Sequence, residues 1–305
     1  MGRYFIKRVL LGLLTLIVVS ITVFVVSRAS GDVALLMAPA GASEQTLQEI
    51  RAKYDLDKPL PVQYYIFIKN ALHGDFGESI SFQRPAMDLV LQRFPATLEL
   101  GGVSFIIGNL IGILLGVLLA TRRNRWLSWG GNTFALLGQA IPGFWLAVML
   151  MLVFCVILHW FPTSGMGGPA YWVLPVAAMS WFSISFVMRI TRSALLDVMD
   201  ADYVKMARTK GLAEWKVVWK HALRNALIPV IAVSGMQLTM LIGGVAFIEQ
   251  IFRWPGVGNL IIGAINSRDY PLIQAIVLIT AAVIIFINLV VDLAFVFVDP
   301  RIKYE

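Results

Sequence analysis

Long uncharged stretches constrain the fold of this chain more than any other feature of its sequence. No Asp, Glu, Lys or Arg occurs between Arg125 and Arg189. Soluble domains carry about 25% charged residues to cover their surface, whereas only 14% of this chain is charged and 58% is apolar. A run of ~20 apolar residues is long enough to cross a bilayer as a helix. The chain is therefore predicted to be a polytopic membrane protein built from helices.

Six apolar stretches are long enough to span a membrane, and the Pro- and Gly-rich segment Phe161–Ala170 separates the third from the fourth. The first stretch follows a basic start and is longer than the apolar region of a signal peptide, so we expect it to remain as a span. The predicted fold class is all-α with six transmembrane helices. Their predicted bounds are Val9–Ser27, Leu100–Thr121, Thr133–Leu158, Tyr171–Met188, Leu227–Ile248 and Ile273–Val298.

The distribution of basic residues predicts the orientation of these spans. An even number of spans puts both termini on one side, and the positive-inside rule assigns that side from the short loops. The termini and the loops grouped with them hold sixteen Lys and Arg residues, whereas the opposite short loops hold only Arg253 and Arg268. Both termini are therefore predicted to be cytoplasmic. The net charge of +7 then reflects topology, and nucleic acid is not an expected partner.

Two segments are too long and too polar to be simple connections. The first covers residues 28–98 and is predicted to lie outside the cytoplasm. It separates the N-terminus with span one (1–27) from a membrane core (99–305). Within 28–98, Ser43 with the nearby Thr46 predicts a helix start, and Asp57-Lys58-Pro59 a stop. The aromatic run Tyr64, Tyr65, Phe67 with Ile68 predicts a second short helix at the membrane surface.

The second polar segment, residues 191–226, is predicted to be cytoplasmic and to form a helix, a glycine corner and another helix. Asp202 can cap the first helix, and Gly211 can end it in a left-handed conformation. The second helix is predicted to have an apolar face and a separate basic row, formed by Leu212, Trp215, Trp219 and Ala222 and by Lys216, Lys220 and Arg224. A connection this long usually docks onto a partner, and we expect that partner to contact the small residues Ala207 and Gly211.

Three glycines in the second span, each four residues from the next, predict a close helix–helix contact. Without side chains, they let the backbone of another helix approach closely. The spacing fits equally a helix of the same chain or one of another subunit. These glycines are Gly108, Gly112 and Gly116.

The third span is interrupted by the sequence QAIPGFW, residues 139–145. Pro142 and Gly143 weaken the helical hydrogen-bond ladder and predict a kink. Broken helices often line the pathway of a transporter. The candidate pathway residues are Gln139, Pro142 and Trp145, with Gln237 in the fifth span. For both glutamines, a plain interhelical hydrogen bond is the competing interpretation.

No catalytic or metal-binding constellation is found in the sequence. His73, His159 and His221 are far apart, and Cys155 is the single cysteine, so no metal-ligand spacing exists. The phosphate-binding Gly-Lys-Ser/Thr loop and the common hydrolase motifs are absent. We therefore expect no cofactor and no enzymatic activity in this chain. An autonomous channel or secondary carrier remains the alternative class, although few charges lie within the spans to couple ion movement.

Several stretches together resemble one family of transport proteins. The segment DYVKMARTKG followed by HALRNALIP is similar to the cytoplasmic EAA loop of binding-protein-dependent ABC importer permeases, with Lys205-Met206-Ala207 in place of Glu-Ala-Ala. The branch resembled is that of dipeptide, oligopeptide, glutathione and nickel importers. Further matching stretches, in chain order, are LDKPL, HGDFGESI, RFPATLEL, EQIFRWPGVGNLI, RDYPLIQA, NLVVDL and DPRI.

This resemblance implies a type I importer permease fold, with a coupling helix that seats in a separate ATPase subunit. The implied coupling residues are Asp202, Tyr203, Lys205, Met206, Ala207, Arg208, Gly211 and Leu212, with Arg208 expected to meet acidic groups of the ATPase. The implied partners are a second permease, two ATPases that bind ATP and Mg²⁺, and a substrate-binding protein in a bacterial or archaeal plasma membrane. Di- and oligopeptides are the preferred substrates; nickel or a nickel chelate, glutathione and other small solutes stay open.

Overall fold

The computed structural model of the chain describes residues 2–29, 31, 34–35, 38, 41–53, 55–122 and 124–298, without the side chains of 2–4, 50, 53, 239–243 and 294–298. The DPRI stretch and the basic residues Arg123, Arg301 and Lys303 lie outside the described residues. Within them the fold is all-α, and the only β-type pairing is an isolated bridge between Glu78 and Pro85. The predicted fold class is therefore confirmed.

Most of the chain lies in helices. They are α1 (Gly2–Ala29), α2 (Glu44–Lys53), α3 (Leu60–Ala71), α4 (Ala86–Thr121), α5 (Arg125–Ala140), α6 (Gly143–Leu150), α7 (Ala170–Met199), α8 (Asp202–Thr209), α9 (Leu223–Phe252), α10 (Val257–Asn266) and α11 (Tyr270–Val298). A π-helical segment, Met151–Ile157, continues α6. A short helical turn, Glu214–Lys216, and a second π-helical segment, Val217–Ala222, lead into α9.

Four of these helices, α1, α4, α7 and α11, are long and apolar enough to cross a membrane. The pair α5 and α6 is a fifth candidate, but the two helices meet at an angle of 103°. The kink predicted at Pro142 is thus a complete break, because Pro142 has extended backbone and acts as the N-cap of α6. The predicted fifth span, Leu227–Ile248, lies within the 30-residue α9, whose length of about 45 Å exceeds a hydrocarbon core of about 30 Å.

The chain divides into two compact units. The first combines residues 1–96 with 256–289, and the second consists mainly of residues 97–255. In the first unit, the start of α4 packs against α10 and α11 around Val90, Leu260 and Leu272.

Helix α3 in the first unit packs against α1. The Tyr64 hydroxyl lies 2.8 Å from Ser20 Oγ, and the Phe24 ring lies between 5 and 6 Å from the rings of both Tyr64 and Phe67. The predicted second short helix is confirmed. The helix start predicted at Ser43 is confirmed as well, because Ser43 Oγ accepts a hydrogen bond from the Thr46 N–H; α2 ends at Lys53, before the predicted stop.

The three glycines of α4 explain the closest contact in the second unit. A Cβ atom added to Gly108, Gly112 or Gly116 would lie 2.9, 2.8 or 2.6 Å from side-chain atoms of α7. The nearest atoms belong to Ser183, Val187 and Thr191, which follow one another at the same four-residue spacing. The predicted close packing is confirmed, and the partner helix belongs to the same chain.

Candidate functional site

The segment between α7 and α9 contains the corner predicted from sequence. Helix α8 starts at Asp202, but its N-cap is Ala201 and no side chain caps it; the capping role predicted for Asp202 is wrong, and its carboxylate lies 3.6 Å from Lys205 Nζ instead. At the other end Gly211 has φ +75°. The N–H groups of Gly211 and Leu212 donate to the carbonyls of Arg208 and Ala207, which is the Schellman pattern, and the predicted left-handed end at Gly211 is confirmed.

The inner face of α8 is buried in the second unit. Val204 is fully buried and Ala207 is 6% exposed. Both pack in one apolar cluster whose other buried members come from α4, α7, the second π segment and α9: Val117, Leu195, Val217, Val218, Ala222, Leu223 and Ala226. Ala207 was expected to face a partner, and that expectation is wrong because the residue faces this cluster. The cluster packs α8 against three long helices at once.

Arg208 already has a carboxylate partner within the chain. Its Nη2 lies 2.8 Å from Glu214 Oε1, and its Nη1 donates to the carbonyl of Met199. The hydrogen bond from Arg208 lowers the pKa of Glu214, although burial opposes this shift. This pair spans the glycine corner. Arg208 is thus paired within the chain, and its expected contact with acidic groups of a partner stays a prediction.

The second helix of the corner differs from its prediction. The residues after Gly211 form one short turn and then the π segment Val217–Ala222, whose wider turn shifts the helical phase. Val217 and Val218 are consequently buried. Of the predicted apolar face, only Ala222 is buried, whereas Leu212, Trp215 and Trp219 are exposed.

The exposed apolar residues of this corner form what we call the docking face. Met206 is 58% exposed and Trp215 is 65% exposed. Tyr203 is also exposed, and its hydroxyl accepts a hydrogen bond from Asn225 Nδ2 at 2.7 Å. Exposed apolar patches of this kind mark interaction sites. The docking face consists of Tyr203, Met206, Leu212, Trp215 and Trp219.

A cavity of about 260 Å³ opens beside the break between α5 and α6. Its lining consists of glycine and apolar residues of α6, α7 and α9, among them Phe144, Phe182 and Phe247, with Ser183 and Gln237 as the polar members. Among the described residues that line it, none has an acidic, basic, histidine or cysteine side chain. The described lining can therefore contact apolar and amide groups of a solute.

Gln237 is the unusual residue of this cavity. It is only 4% exposed, and among the described residues neither its Oε1 nor its Nε2 has a hydrogen-bond partner. Leaving a buried amide unpaired costs several kcal/mol, so such a group normally meets water or a ligand. The interhelical hydrogen bond considered for Gln237 is not formed with the described residues.

The other candidate pathway residues lie in different settings. Gln139 Nε2 donates to the carbonyl of Ala135 within its own helix, so this atom does not make the interhelical hydrogen bond considered for it. Pro142 caps α6. Trp145 is 48% exposed and is not part of the cavity lining. The structure thus brings Gln237, but not Gln139 or Trp145, into the cavity.

Sequence reasoning missed a buried carboxylate in the first unit. Asp269 is fully buried, and its Oδ2 accepts hydrogen bonds from Ser79 Oγ at 2.5 Å and from the Ser81 N–H at 3.0 Å. Its Oδ1 accepts from the Leu272 N–H and so caps α11. We call this arrangement the clamp. Ser79 belongs to the HGDFGESI stretch and Ser81 follows it, whereas Asp269 and Leu272 belong to RDYPLIQA. In the sequence, only the joint resemblance of these stretches to one family indicated the clamp.

A second buried carboxylate lies in the other unit. Glu249 of α9 is fully buried, and its Oε1 accepts a hydrogen bond from Thr97 Oγ1 at 2.6 Å. This contact fixes α9 to α4. Thr97 and Glu249 also belong to two of the stretches that carry the family resemblance, RFPATLEL and EQIFRWPGVGNLI.

Comparisons with known proteins agree with these observations. The family model described as "Binding-protein-dependent transport system inner membrane component" matches residues 112–304, and the model of its N-terminal region matches residues 1–101. The chain is 41% identical over 307 residues to the glutathione transport system permease protein GsiC of Salmonella typhi. It is 38% identical over 314 residues to a protein of Brucella abortus (strain 2308) named as a peptide transport system permease. Both alignments cover 100% of each chain.

Solved structures show the same fold. A chain of the MetNI methionine ABC transporter in an inward-facing conformation superposes with a TM-score of 0.58 at 20% identity, covering 70% of this chain and 97% of the other. An amino acid ABC transporter crystallised with histidines superposes with a TM-score of 0.52 at 16% identity, covering 70% and 94%.

Proposed function

The chain belongs to the family of binding-protein-dependent transport system inner membrane components, and we propose that it is the permease for peptides in an ATP-driven importer. It is a multi-pass membrane component of an ABC importer with a type I permease fold. The proposal concerns the substrate class, the partners and the residues that serve each of them. The observation that carries it is the unpaired amide of Gln237 in an uncharged cavity.

A peptide group is the natural counterpart of the Gln237 side chain. Its N–H can donate to Oε1 while its carbonyl accepts from Nε2, so that both buried atoms are satisfied. The surrounding aromatic and aliphatic residues can contact substrate side chains without selecting one shape strictly. This combination suits a passage for many short peptides, while a binding protein supplies the selectivity.

A bare nickel ion is a poorer fit to this cavity. Nickel is bound in proteins by nitrogen or oxygen ligands in a defined geometry, and no histidine or carboxylate belongs to the lining. Glutathione contains peptide-type amides and remains within the proposed substrate class. That class is also consistent with the names of the two relatives.

The proposed partners are a second permease, two ATPase subunits that bind ATP and Mg²⁺, and a substrate-binding protein. The ATPase contacts the docking face rather than Ala207. Movement of the docked surface reaches α4, α7 and α9 through the buried side chains of Val204 and Ala207. The charge distribution supports cytoplasmic termini and a cytoplasmic docking face.

Reconstitution tests the proposed machinery. The complete importer in proteoliposomes should accumulate a labelled dipeptide only when ATP is enclosed and the binding protein is present. The chain reconstituted alone should transport nothing. Dipeptide uptake by the isolated chain would overturn the assignment to an ATP-driven importer and favour a carrier or channel.

Substituting the cavity glutamine tests the substrate class. Gln237→Leu removes the amide at nearly constant volume and should lower peptide uptake by about tenfold, the effect of one lost buried hydrogen-bonding group. Gln139→Leu is the matched control and should transport normally, because that amide bonds within its own helix. Normal uptake by Gln237→Leu, in an importer that assembles fully, would show that the cavity does not bind the peptide.

A further inference from the structure

An apolar groove of about 690 Å³ lies in the first unit between the second half of α1 and the start of α11. On α1 it extends from Val18 to Ser27, and on α11 from Tyr270 to Val277. At 1.5 Å per residue this stretch of α1 is about 14 Å long. That length is close to half of a hydrocarbon core of about 30 Å. The groove therefore has the length of one membrane leaflet.

The groove is lined almost wholly by hydrocarbon. Val18, Val26 and Ile265 are each more than half exposed. The hydroxyls of Thr22 and Ser27 donate to the carbonyls of Val18 and Val23 in their own helix, so these donors need no acceptor from an occupant of the groove. An exposed apolar groove between two spans is in contact with lipid chains unless another helix covers it.

Among the described residues, Arg268 is the single charged member of the groove lining. It lies in the turn between α10 and α11, next to Tyr270. Its side chain is exposed, and within the described part of the chain its guanidinium forms neither an ion pair nor a hydrogen bond. The groove thus ends at a cation whose donors are available.

The backbone of Arg268 is held in an unusual conformation. Its φ is +54°, in the left-handed region that glycine adopts without steric cost and other residues do not. The N–H of Arg268 donates to the carbonyl of Ile265, and the N–H of Asp269 donates to that of Ala264. Glycine would satisfy this helix end equally well, so an arginine here indicates a use for its side chain.

We propose that this groove binds one phospholipid, with an acyl chain against α1 and α11 and the phosphate on Arg268. A guanidinium can donate two parallel hydrogen bonds to a phosphate, which suits this residue better than a lysine. The groove has the length of one leaflet, which matches the reach of a single acyl chain. The distribution of basic residues assigns the site to the extracytoplasmic leaflet.

Lipid titration of the purified importer tests this site. The complex is stripped of lipid in detergent, and binding of phosphatidylglycerol is counted by native mass spectrometry. Diacylglycerol with the same acyl chains serves as the probe that lacks a phosphate. Arg268→Gly should weaken phosphatidylglycerol binding by about tenfold, the effect expected of a charge-assisted contact, and should leave diacylglycerol binding unchanged.

Two further variants separate the site from general effects. Arg253→Gly is the matched control, since Arg253 also has a left-handed backbone, with φ +47°, but does not line the groove; it should bind both lipids normally. Ile265→Trp adds bulk at an exposed lining position and should weaken both lipids. Equal phosphatidylglycerol binding by Arg268→Gly and wild type would overturn the proposal. A photoreactive residue at the position of Val18 that cross-links to another polypeptide, and not to lipid, would overturn it too.

Discussion

The helix ends at Gly211 and at Arg268 share one backbone pattern and differ in their surroundings. In both, a residue with positive φ follows the helix, and two successive N–H groups bond back to carbonyls of its last turn. At Gly211 no atom lies within 4 Å of the place where a Cβ would be. Beside Arg268, by contrast, the next residue is the buried Asp269 of the clamp.

This difference shows two ways to hold a corner. The clamp fixes its corner by polar bonds to a fully buried carboxylate, which tolerate little displacement. The corner at Gly211 is attached through apolar packing on the inner side of α8, and its polar contacts, such as the Arg208–Glu214 pair, join exposed groups. An element that must follow a moving partner is better served by the second arrangement, because apolar contacts can slide while buried hydrogen bonds cannot lengthen.

The largest expected effect tests the rigidity of the clamp. Asp269→Ala removes the acceptor of three donors and should destabilise the protein by about 3 kcal/mol, because buried donors are left unpaired. The melting temperature of the importer in detergent should fall by several degrees. Asp75→Asn is the control, since Asp75 is exposed on the same segment and accepts only the Gly77 N–H. Equal melting temperatures for the two variants would contradict the clamp.

The two sides of α8 should respond differently to truncation. Val204→Ala removes two methyl groups from a fully buried site and should cost about 2 kcal/mol of stability. Met206→Ala alters an exposed side chain and should change stability by less than about 0.5 kcal/mol. If the docking face binds the ATPase, Met206→Ala should nevertheless lower ATP-dependent uptake. Thermal unfolding and uptake measured on the same preparations separate these outcomes, and a Met206→Ala importer with full uptake would contradict the docking face.

Opposite exchanges at the two left-handed positions sharpen the comparison further. Gly211→Ala should destabilise by about 1 kcal/mol through the backbone alone, because its surroundings are open. Arg268→Gly relieves the same strain and should leave the folded protein as stable or raise its stability by up to about 1 kcal/mol. Melting curves of the two single variants test the pair. A stabilising Gly211→Ala would mean that the backbone at that corner is not left-handed.

A bulky acidic residue at the same corner tests its role in coupling. Gly211→Asp adds a charged side chain beside the docking face and should uncouple ATP hydrolysis from peptide uptake, or block assembly, with membrane insertion unchanged. ATPase rate and uptake are measured together on the purified importer, with Gly211→Ala as the control for the backbone effect. Normal coupled transport by Gly211→Asp would exclude this corner from the contact.

The smallest effect concerns the ion pair across the Gly211 corner. The pKa of Glu214 is lowered by its hydrogen bond to Arg208, so its stabilising contribution is present at neutral pH. That contribution is lost as the pH falls from the unfolded value of about 4.3 through the lower folded pKa. Both groups are largely exposed, which limits the effect to about 0.5 kcal/mol. The difference in melting temperature between wild type and Glu214→Gln should shrink on acidification, and a widening difference would contradict the pair.

Sequence patterns predicted the long helices, the packing glycines and the glycine corner because each rests on local spacing or on backbone chemistry. They did not predict which face of a helix is buried near a π segment. One wider turn changes the direction in which every residue before it faces, and Trp215 and Trp219 are exposed for this reason. They did not identify Asp269 either. Its partners, Ser79 and Ser81, lie far away in sequence, and a single sequence does not show which distant residues form a pair. Gln237 was a candidate from its polarity alone, and only the packed structure shows that its amide is unpaired.

The π segment between the Gly211 corner and α9 has a mechanical consequence. Its turns hold more residues than those of an α-helix, so Val217–Ala222 contains a small excess of residues within a continuous helical segment. If the segment lost that excess and became regular α-helix, the helical part before it would rotate by about 100° for each residue of excess. Such a change would thus link displacement of the docking face to rotation about the axis of α9.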